Sequence, residues 1–234
     1  MQLIKQVLEY IFPYYCLICK KDLEKEWICD DCFSLIEILE RQYCPHCNKV
    51  TIDGMKCKKS VKSYINNLYC ATSYQNKIVK ELIHNFKYAP FCKELSKTLV
   101  KLIYYHLLNL NKLNLFLNNK SLGITYIPLH KRKLKLRGFN QSELLAKELA
   151  DLLKIDFLNE VIIKVKDTQS QTTLKKEERK VNVRDSFKIN KKPIKKQIII
   201  VDDVYTTGAT MQEAAKVLKE NGVKKVIAMV IARE

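Results

Sequence analysis

Long apolar runs are missing from this chain. Nothing approaches the ~18 consecutive apolar residues of a membrane-spanning helix. Lys5, Gln6 and Glu9 interrupt what would be the apolar centre of a secretory signal. These absences lead us to expect a soluble, cytoplasmic protein with reduced thiols. Familiar catalytic signatures are missing too. There is no HExxH pair, no Ser/His/Asp or Cys/His arrangement and no Walker P-loop, so a nucleotide-driven motor acting alone is excluded. Histidine is scarce, with four in 234 residues. Neither His84 nor His106 has Cys or acidic partners at ligand spacing, so both are expected as packing or surface residues. Acidic residues are few: 25 against 42 basic ones, a net charge of +17. That excess favours anionic partners such as nucleic acid, lipid headgroups or phosphorylated substrates. It is carried mostly by Lys, which contacts phosphate as a point charge, rather than by Arg, which does so bidentately.

What is abundant is cysteine, nine residues in all, and it is unevenly placed. Cys16, Cys19, Cys29, Cys32, Cys44, Cys47 and Cys57 fall in one stretch, mostly as Cys-x-x-Cys pairs. Each pair points two thiolates at one ion, and two pairs complete a tetrahedral zinc site. So short a stretch cannot build a core of its own, and zinc would supply the folding energy. The first pair with the second is the simplest combination. The first with the third is also open. A second site would use Cys44, Cys47 and Cys57, with Ser60 where an eighth ligand is expected. Either another residue such as His46 completes it or that metal has been lost. A thioredoxin-like redox role would want a single pair at a helix start after a strand, unlike this cluster. Cys70 and Cys92 stand apart in apolar segments and read as buried thiols.

The chain is organised around Ile198–Thr210. Ile198–Val201 is an unbroken apolar run, as in a strand buried on both faces of a parallel sheet. Asp202 and Asp203 place two carboxylates at its carboxyl end, where open α/β sheets bind ligands. Thr206, Thr207, Gly208, Ala209 and Thr210 form a hydroxyl-rich turn into a helix over Met211–Asn221, and a helix start holds phosphate. A ligand bearing a phosphate beside a vicinal diol, as ribose 5-phosphate does, suits both features.

Elsewhere the periodicity predicts helices over Met1–Phe12, Gln75–Lys87, Pro90–Leu108 and Ser142–Leu153. Strands are predicted at Leu68–Ser73, Gly123–Ile127, Glu160–Val165 and Lys225–Ala232. Asn109–Ser121 reads as a mobile connection. The strand over Gly123–Ile127 runs into a basic loop, Pro128-Leu129-His130-Lys131-Arg132, extended by Lys133, Lys135 and Arg137 and placed to meet a second anion. Lys166–Phe187 is long, polar and charge-dense, as lids often are. The expected organisation is a cysteine-rich zinc-ribbon module over residues 1–64 and an α/β domain over 65–234, a mostly parallel sheet flanked by helices.

The stretch from Ile198 to Thr210 resembles the phosphoribosyl-pyrophosphate (PRPP) motif of type I phosphoribosyltransferases. Adding Arg137-Gly138-Phe139-Asn140-Gln141 after the strand–Pro–basic loop, and the Cys-pair module upstream, makes nearly the whole chain similar to the ComF family of competence-associated, phosphoribosyltransferase-like proteins. The resemblance implies that Asp202 and Asp203 hold the ribose hydroxyls. It implies that Val204, Tyr205, Thr206, Thr207, Gly208, Ala209 and Thr210 belong to the PRPP-binding loop, and that Lys131, Arg132 and Arg137 help Mg²⁺ neutralise the departing pyrophosphate. It further implies structural Zn²⁺, a flexible hood over PRPP, pentosyl (glycosyl) transfer and a role in DNA uptake during natural transformation. Single-stranded DNA and the uptake machinery would be partners, and peripheral association with the inner membrane is left open. The acceptor is not readable, so two alternatives stand: a nucleotide-salvage enzyme, or a module that binds PRPP or single strands without catalysis. Phe86-Lys87-Tyr88 and Arg137-Gly138-Phe139 could stack on single strands or simply anchor the core.

Overall fold

The computed structural model describes residues 14–58, 63–88, 92–168 and 182–234. The expected Met1–Phe12 helix, Ser60, Pro90 and the centre of the expected lid lie outside them.

The cysteine-rich part holds only scraps of regular structure. β1 (Tyr14–Tyr15) and β2 (Asp22–Leu23) form one hairpin, followed by the short helix α1 (Asp30–Ser34). β3 (Gln42–Tyr43) and β4 (Val50–Thr51) form a second, closed by a single turn over Ile52–Gly54. Two-residue strands do not persist without a staple, which makes the cysteines part of the fold.

Then come β5 (Asn67–Ser73), α2 (Lys77–Lys87), α3 (Leu95–Asn109), α4 (Leu113–Phe116) and β6 (Leu122–Tyr126). α5 (Lys131–Arg137), α6 (Gln141–Leu153) and β7 (Asp156–Phe157) follow. β8 (Ile162–Lys164) pairs antiparallel with β9 (Phe187–Ile189). The chain closes with β10 (Gln197–Tyr205), α7 (Ala209–Glu220) and β11 (Lys225–Arg233).

Five strands build one parallel sheet in the order β5-β11-β10-β6-β7. Its centre is β10, whose Ile198, Ile199, Ile200 and Val201 are fully buried. Alternation along the strand feeds two cores. Ile199 and Val201 join the buried residues of α2, α3 and α6. Ile198 and Ile200 join Met211, Ala214 and Leu218 of α7 and the β8–β9 hairpin. α2 forms because Val79, Leu82, Ile83 and Phe86 recur at helical spacing and Asn76 caps it, accepting from the N–H groups of Ile78 and Val79;.

The structure corrects three local expectations. Asn109–Ser121 is not a plain connection: it contains α4, pinned by buried Phe116. The basic loop is loop only as far as His130, whose ring nitrogen caps α5, so Lys131 and Arg132 begin a helix. β10 runs past Val201 through both acids to Tyr205. β11 continues beside it, with Val204 opposite Ala232 and Tyr205 opposite Arg233. β6 stops at Tyr126, because Pro128 has no N–H to continue the ladder. That one-sided ending opens the crevice at the carboxyl end of the sheet. No helix among the described residues is long and apolar enough to cross a membrane.

Candidate functional site

A cavity of about 340 Å³ lies in this crevice. Ile127, Pro128 and Leu129 line it where β6 ends. Asp202, Asp203, Val204, Thr206 and Thr210 line it from β10 and the turn into α7, and Lys87, Lys133, Arg137 and Lys164 bring cationic groups to it. Tyr74, Tyr88, Gln141, Ser142, Thr168 and Glu234 complete the lining.

The two acids are held differently. Asp203 is buried and its Oδ2 lies 2.8 Å from Lys87 Nζ, an ion pair with little solvent access. Burial is the largest influence on the Lys87 ammonium and pushes it down, but the charge and hydrogen bond of Asp203, with the charges of Asp202 and Tyr74, together outweigh it and raise the group. Asp202 Oδ1 accepts from Ser142 Oγ at 2.7 Å and from the Asp203 N–H at 3.0 Å. Burial, reinforced by the neighbouring Asp203 charge, lifts its carboxyl to about 7. Two adjacent carboxylates with a single lysine between them lack positive charge, which a divalent cation would supply.

The opposite wall has the reverse imbalance. Lys164 falls to about 8 through burial and the nearby charge of Lys133. Lys133 is itself pushed down, by burial and by Arg137, although Asp167 opposes this. Its Nζ donates to the Thr168 carbonyl at 2.7 Å. Arg137 Nη1 donates to Gln141 Oε1 at 2.8 Å, and the guanidinium lies 5.4 Å from the centre of the Tyr88 ring. Crowded cations of this kind are relieved by an anion.

The turn between them runs into the start of α7, where backbone N–H groups can receive an anion;. Gly208 sits at φ 74° and starts α7 with no side-chain cap. Of the first-turn N–H groups, that of Ala209 meets Thr207 Oγ1, and the N-cap glycine itself offers no side chain to compete with an anion for the others. A Cβ on Gly208 would overlap the Tyr205 hydroxyl.

The sequence-predicted residues divide. Asp202, Asp203, Val204, Thr206, Thr210 and Arg137 line the cavity. Tyr205 is buried, and its hydroxyl donates to the Pro45 carbonyl at 2.6 Å, away from the cavity. Thr207 Oγ1 accepts from the Ala209 N–H at 3.3 Å, and Thr207, Gly208 and Ala209 shape the turn without lining the cavity. Lys131 and Arg132 are exposed and outside the lining, and Arg132 faces Asp167 at 3.5 Å. Phe86 and Phe139 are buried core anchors, 6.1 Å apart, whereas Tyr88 is exposed.

Sequence reasoning did not single out Lys87 or Lys164 as site residues, but both left a signal. Lys87 occupies the slot four residues after Ile83, on the edge of the apolar stripe of α2. Lys164 shares a strand face with buried Ile162, so it points inward.

The cysteines form two groups. Cys16, Cys19, Cys29 and Cys32 have all their sulfurs within 4.8 Å of one another, as do Cys44, Cys47 and Cys57. The first pair therefore combines with the second. His46 is exposed and does not join the second group. The geometry fits zinc. A ~2.3 Å Zn–S bond in a tetrahedron separates sulfurs by roughly 3.8 Å. Cys19 and Cys29 are 3.6 Å apart, and Cys47 and Cys57 3.7 Å. The backbones repeat as well: Cys29 N–H donates to Cys16 Sγ at 3.5 Å, and Cys57 N–H to Cys44 Sγ at 3.4 Å. Positive φ at Lys20 and Asn48 closes the two knuckles alike. Burial and the surrounding thiols push Cys32 up to about 12, the cost of crowding sulfurs that a cation would remove.

Two parts of the chain match known domains. Residues 7–71 match the double zinc ribbon domain, and residues 140–234 the phosphoribosyl transferase domain. Competence protein F of Haemophilus influenzae is 26% identical over 230 residues, 95% of this chain and 98% of its own. The DNA utilization protein YhgH of Escherichia coli K12 is 29% identical over 216 residues, 90% of this chain and 92% of its own. Competence protein ComFC of Streptococcus pneumoniae is 26% identical over 208 residues, 85% and 84% of the two chains. With a paired-cysteine ribbon at one end and a parallel sheet ending in two acids and a hydroxyl-rich turn at the other, the chain is similar along most of its length to these competence and DNA utilization proteins.

Proposed function

We propose that the cavity binds PRPP with Mg²⁺ and that the protein acts in DNA uptake, handling incoming single-stranded DNA. The observation that carries this is the charge separation within one cavity. Asp202 and Asp203 need a cation on one side, Lys133, Lys164 and Arg137 need an anion on the other, and a helix start with glycine at its N-cap lies at the same crevice.

PRPP satisfies all three. Its 5-phosphate would sit on the turn from Thr206 to Thr210. Its hydroxyls would face Asp202 and Asp203, with Ser142 fixing the first carboxylate. Its pyrophosphate would relieve the repulsion between Lys133 and Lys164. Asp202 and Asp203 would hold Mg²⁺, which would supply positive charge to the departing pyrophosphate. The protein's part is positioning and electrostatics; it supplies no nucleophile. Lys87 would release Asp203 to the ligand or hold it in line.

The three relatives, each matched over most of its length, are competence or DNA utilization proteins, which supports that biological context. The net charge of +17 suits a polyanionic partner;. Burial of Phe86 and Phe139 removes those two rings as base-stacking platforms, which leaves exposed Tyr88 and phosphate contacts to carry single-strand affinity.

Pyrophosphate release from PRPP, measured with a panel of nucleobase and amine acceptors, separates an enzyme from a binding module. A transformation assay with Asp202→Asn and Asp203→Asn tests the biology: we expect both to lose PRPP binding and transformation together. Normal transformation without PRPP binding would refute the link. Single-strand affinity that does not fall with salt would refute a phosphate-mediated DNA contact.

A further inference from the structure

The second ribbon is built into the back of the phosphate turn. The Tyr205 hydroxyl donates to the Pro45 carbonyl, inside the knuckle between Cys44 and Cys47. The same hydroxyl fills the place a side chain at position 208 would need. Gln212, in the first turn of α7, donates to that carbonyl at 3.2 Å and to Ser63 Oγ at 2.9 Å. It also accepts from the Tyr64 N–H at 3.0 Å. Beside them, Arg233, paired in register with Tyr205, stacks 3.6 Å from the centre of the Tyr43 ring, just before Cys44. The Pro45 carbonyl thus receives one hydrogen bond from each side of the phosphate turn. Its direction is set by two cysteines that converge on one point.

We infer that metal occupancy of the Cys44/Cys47/Cys57 cluster is coupled to phosphate-ester binding at Thr206–Thr210, with Tyr205 and Gln212 as the positioning residues that carry the coupling. This rests on the PRPP reading of the cavity and adds its regulation. With metal bound, the knuckle fixes the carbonyl, the carbonyl fixes the Tyr205 ring, and the ring and Gln212 hold Gly208 and the first turn of α7 in their phosphate-accepting form. With metal lost, the carbonyl can rotate and both donors lose their common anchor. Such coupling is reciprocal: whatever factor the metal adds to ligand affinity, the ligand adds to metal affinity. The first cluster provides an internal control. Cys16, Cys29 and Cys32 pack into the core that holds α2 and α3, on the other face of the sheet from the α7 core.

The test is equilibrium competition for zinc between the full chain and a colorimetric chelator, with and without PRPP and Mg²⁺, alongside PRPP titration of the same samples. We expect PRPP to raise zinc affinity at one site by about fivefold or more and to leave the other unchanged. Cys44→Ser should weaken PRPP by the same factor. Tyr205→Phe and Gln212→Leu should remove the effect while both zinc ions stay bound and the melting temperature moves little. If PRPP binds but neither zinc affinity responds, or if Cys44→Ser loses its zinc and keeps full PRPP affinity, the coupling is refuted and the PRPP reading stands. If PRPP fails to bind the zinc-replete chain, both are refuted.

Discussion

The two ribbons are near copies that the fold uses differently. Cys44, Cys47 and Cys57 repeat the spacing of Cys16, Cys19 and Cys29, the N–H to sulfur bonds recur, and both knuckles close through a positive-φ residue. Local sequence therefore dictates the same local structure twice. Their surroundings differ. The first has four sulfurs and sinks Cys16, Leu17, Ile28, Cys29, Cys32 and Ile36 into the main core. The second has three cysteine sulfurs among the described residues, places none of those cysteines in either buried core, and presses Pro45 against the turn after β10. A metal that staples a core is needed for folding. A metal that props a loop is needed for what the loop binds.

Breaking the first ribbon should give the largest effect. Cys32→Ser opens a four-sulfur site in which three of the four cysteines are buried. A structural zinc contributes on the order of 10 kcal/mol to a small module, and at about 2–4 °C per kcal/mol the melting temperature should drop by more than ~10 °C in a calorimetric scan. A small shift would show that the first ribbon is ornamental.

Next is Gly208→Ala, which strikes the second ribbon through the loop. The φ of 74° and the overlap with the Tyr205 hydroxyl together should cost about 2 kcal/mol. PRPP affinity should fall further than that of any variant in the first ribbon. Binding at wild-type strength would mean the turn tolerates a side chain and is not pinned from behind.

The acids give a smaller, pH-dependent signal that neither ribbon should alter. Asp202 titrates near 7 in the folded chain against a reference of 3.8. A raised carboxyl pKa stabilises the ligand-free fold in its protonated form, so that contribution is complete below pH ~4 and is lost as pH rises through about 7. Ligand binding runs the other way, because Mg²⁺ requires the carboxylate. Affinity for PRPP with Mg²⁺ should rise by roughly tenfold per unit up to pH 7 and then level off. Asp202→Asn should flatten the profile. The smallest effect belongs to the exposed pair of Lys101 and Glu26, 3.4 Å apart at the edge of the first ribbon. Glu26→Gln should change stability by less than ~0.5 kcal/mol, so that a chemical denaturation curve overlays the wild type.

Much of this was legible in the sequence. Ile198–Val201 announced a doubly buried strand because no polar residue interrupts it, and the acids and phosphate turn follow it directly. The cysteine pairs announced metal because their spacing is local. What was not legible depends on neighbours. The length of β10 is set by β11 continuing beside it, which no reading of β10 alone supplies. Lys131 and Arg132 looked like anion ligands because they follow a strand, yet His130 caps α5 and turns them outward while Lys133 and Arg137 face the cavity. Tyr205 looked like part of a ligand loop, and only the docking of the second ribbon shows that it faces backward. Lys87 and Lys164 arrive from elements far from the motif in sequence, each marked only by a charge in an apolar slot.

The central claim is that one cavity holds PRPP through a cation on its acids and an anion on its lysines. Titration calorimetry of the zinc-replete chain with PRPP at pH 7.5 tests it most directly. The account predicts saturable one-to-one binding that requires Mg²⁺ and weakens by at least ~tenfold, about 1.4 kcal/mol, in Asp202→Asn. No heat of binding, or a curve indifferent to both Mg²⁺ and Asp202→Asn, would contradict it.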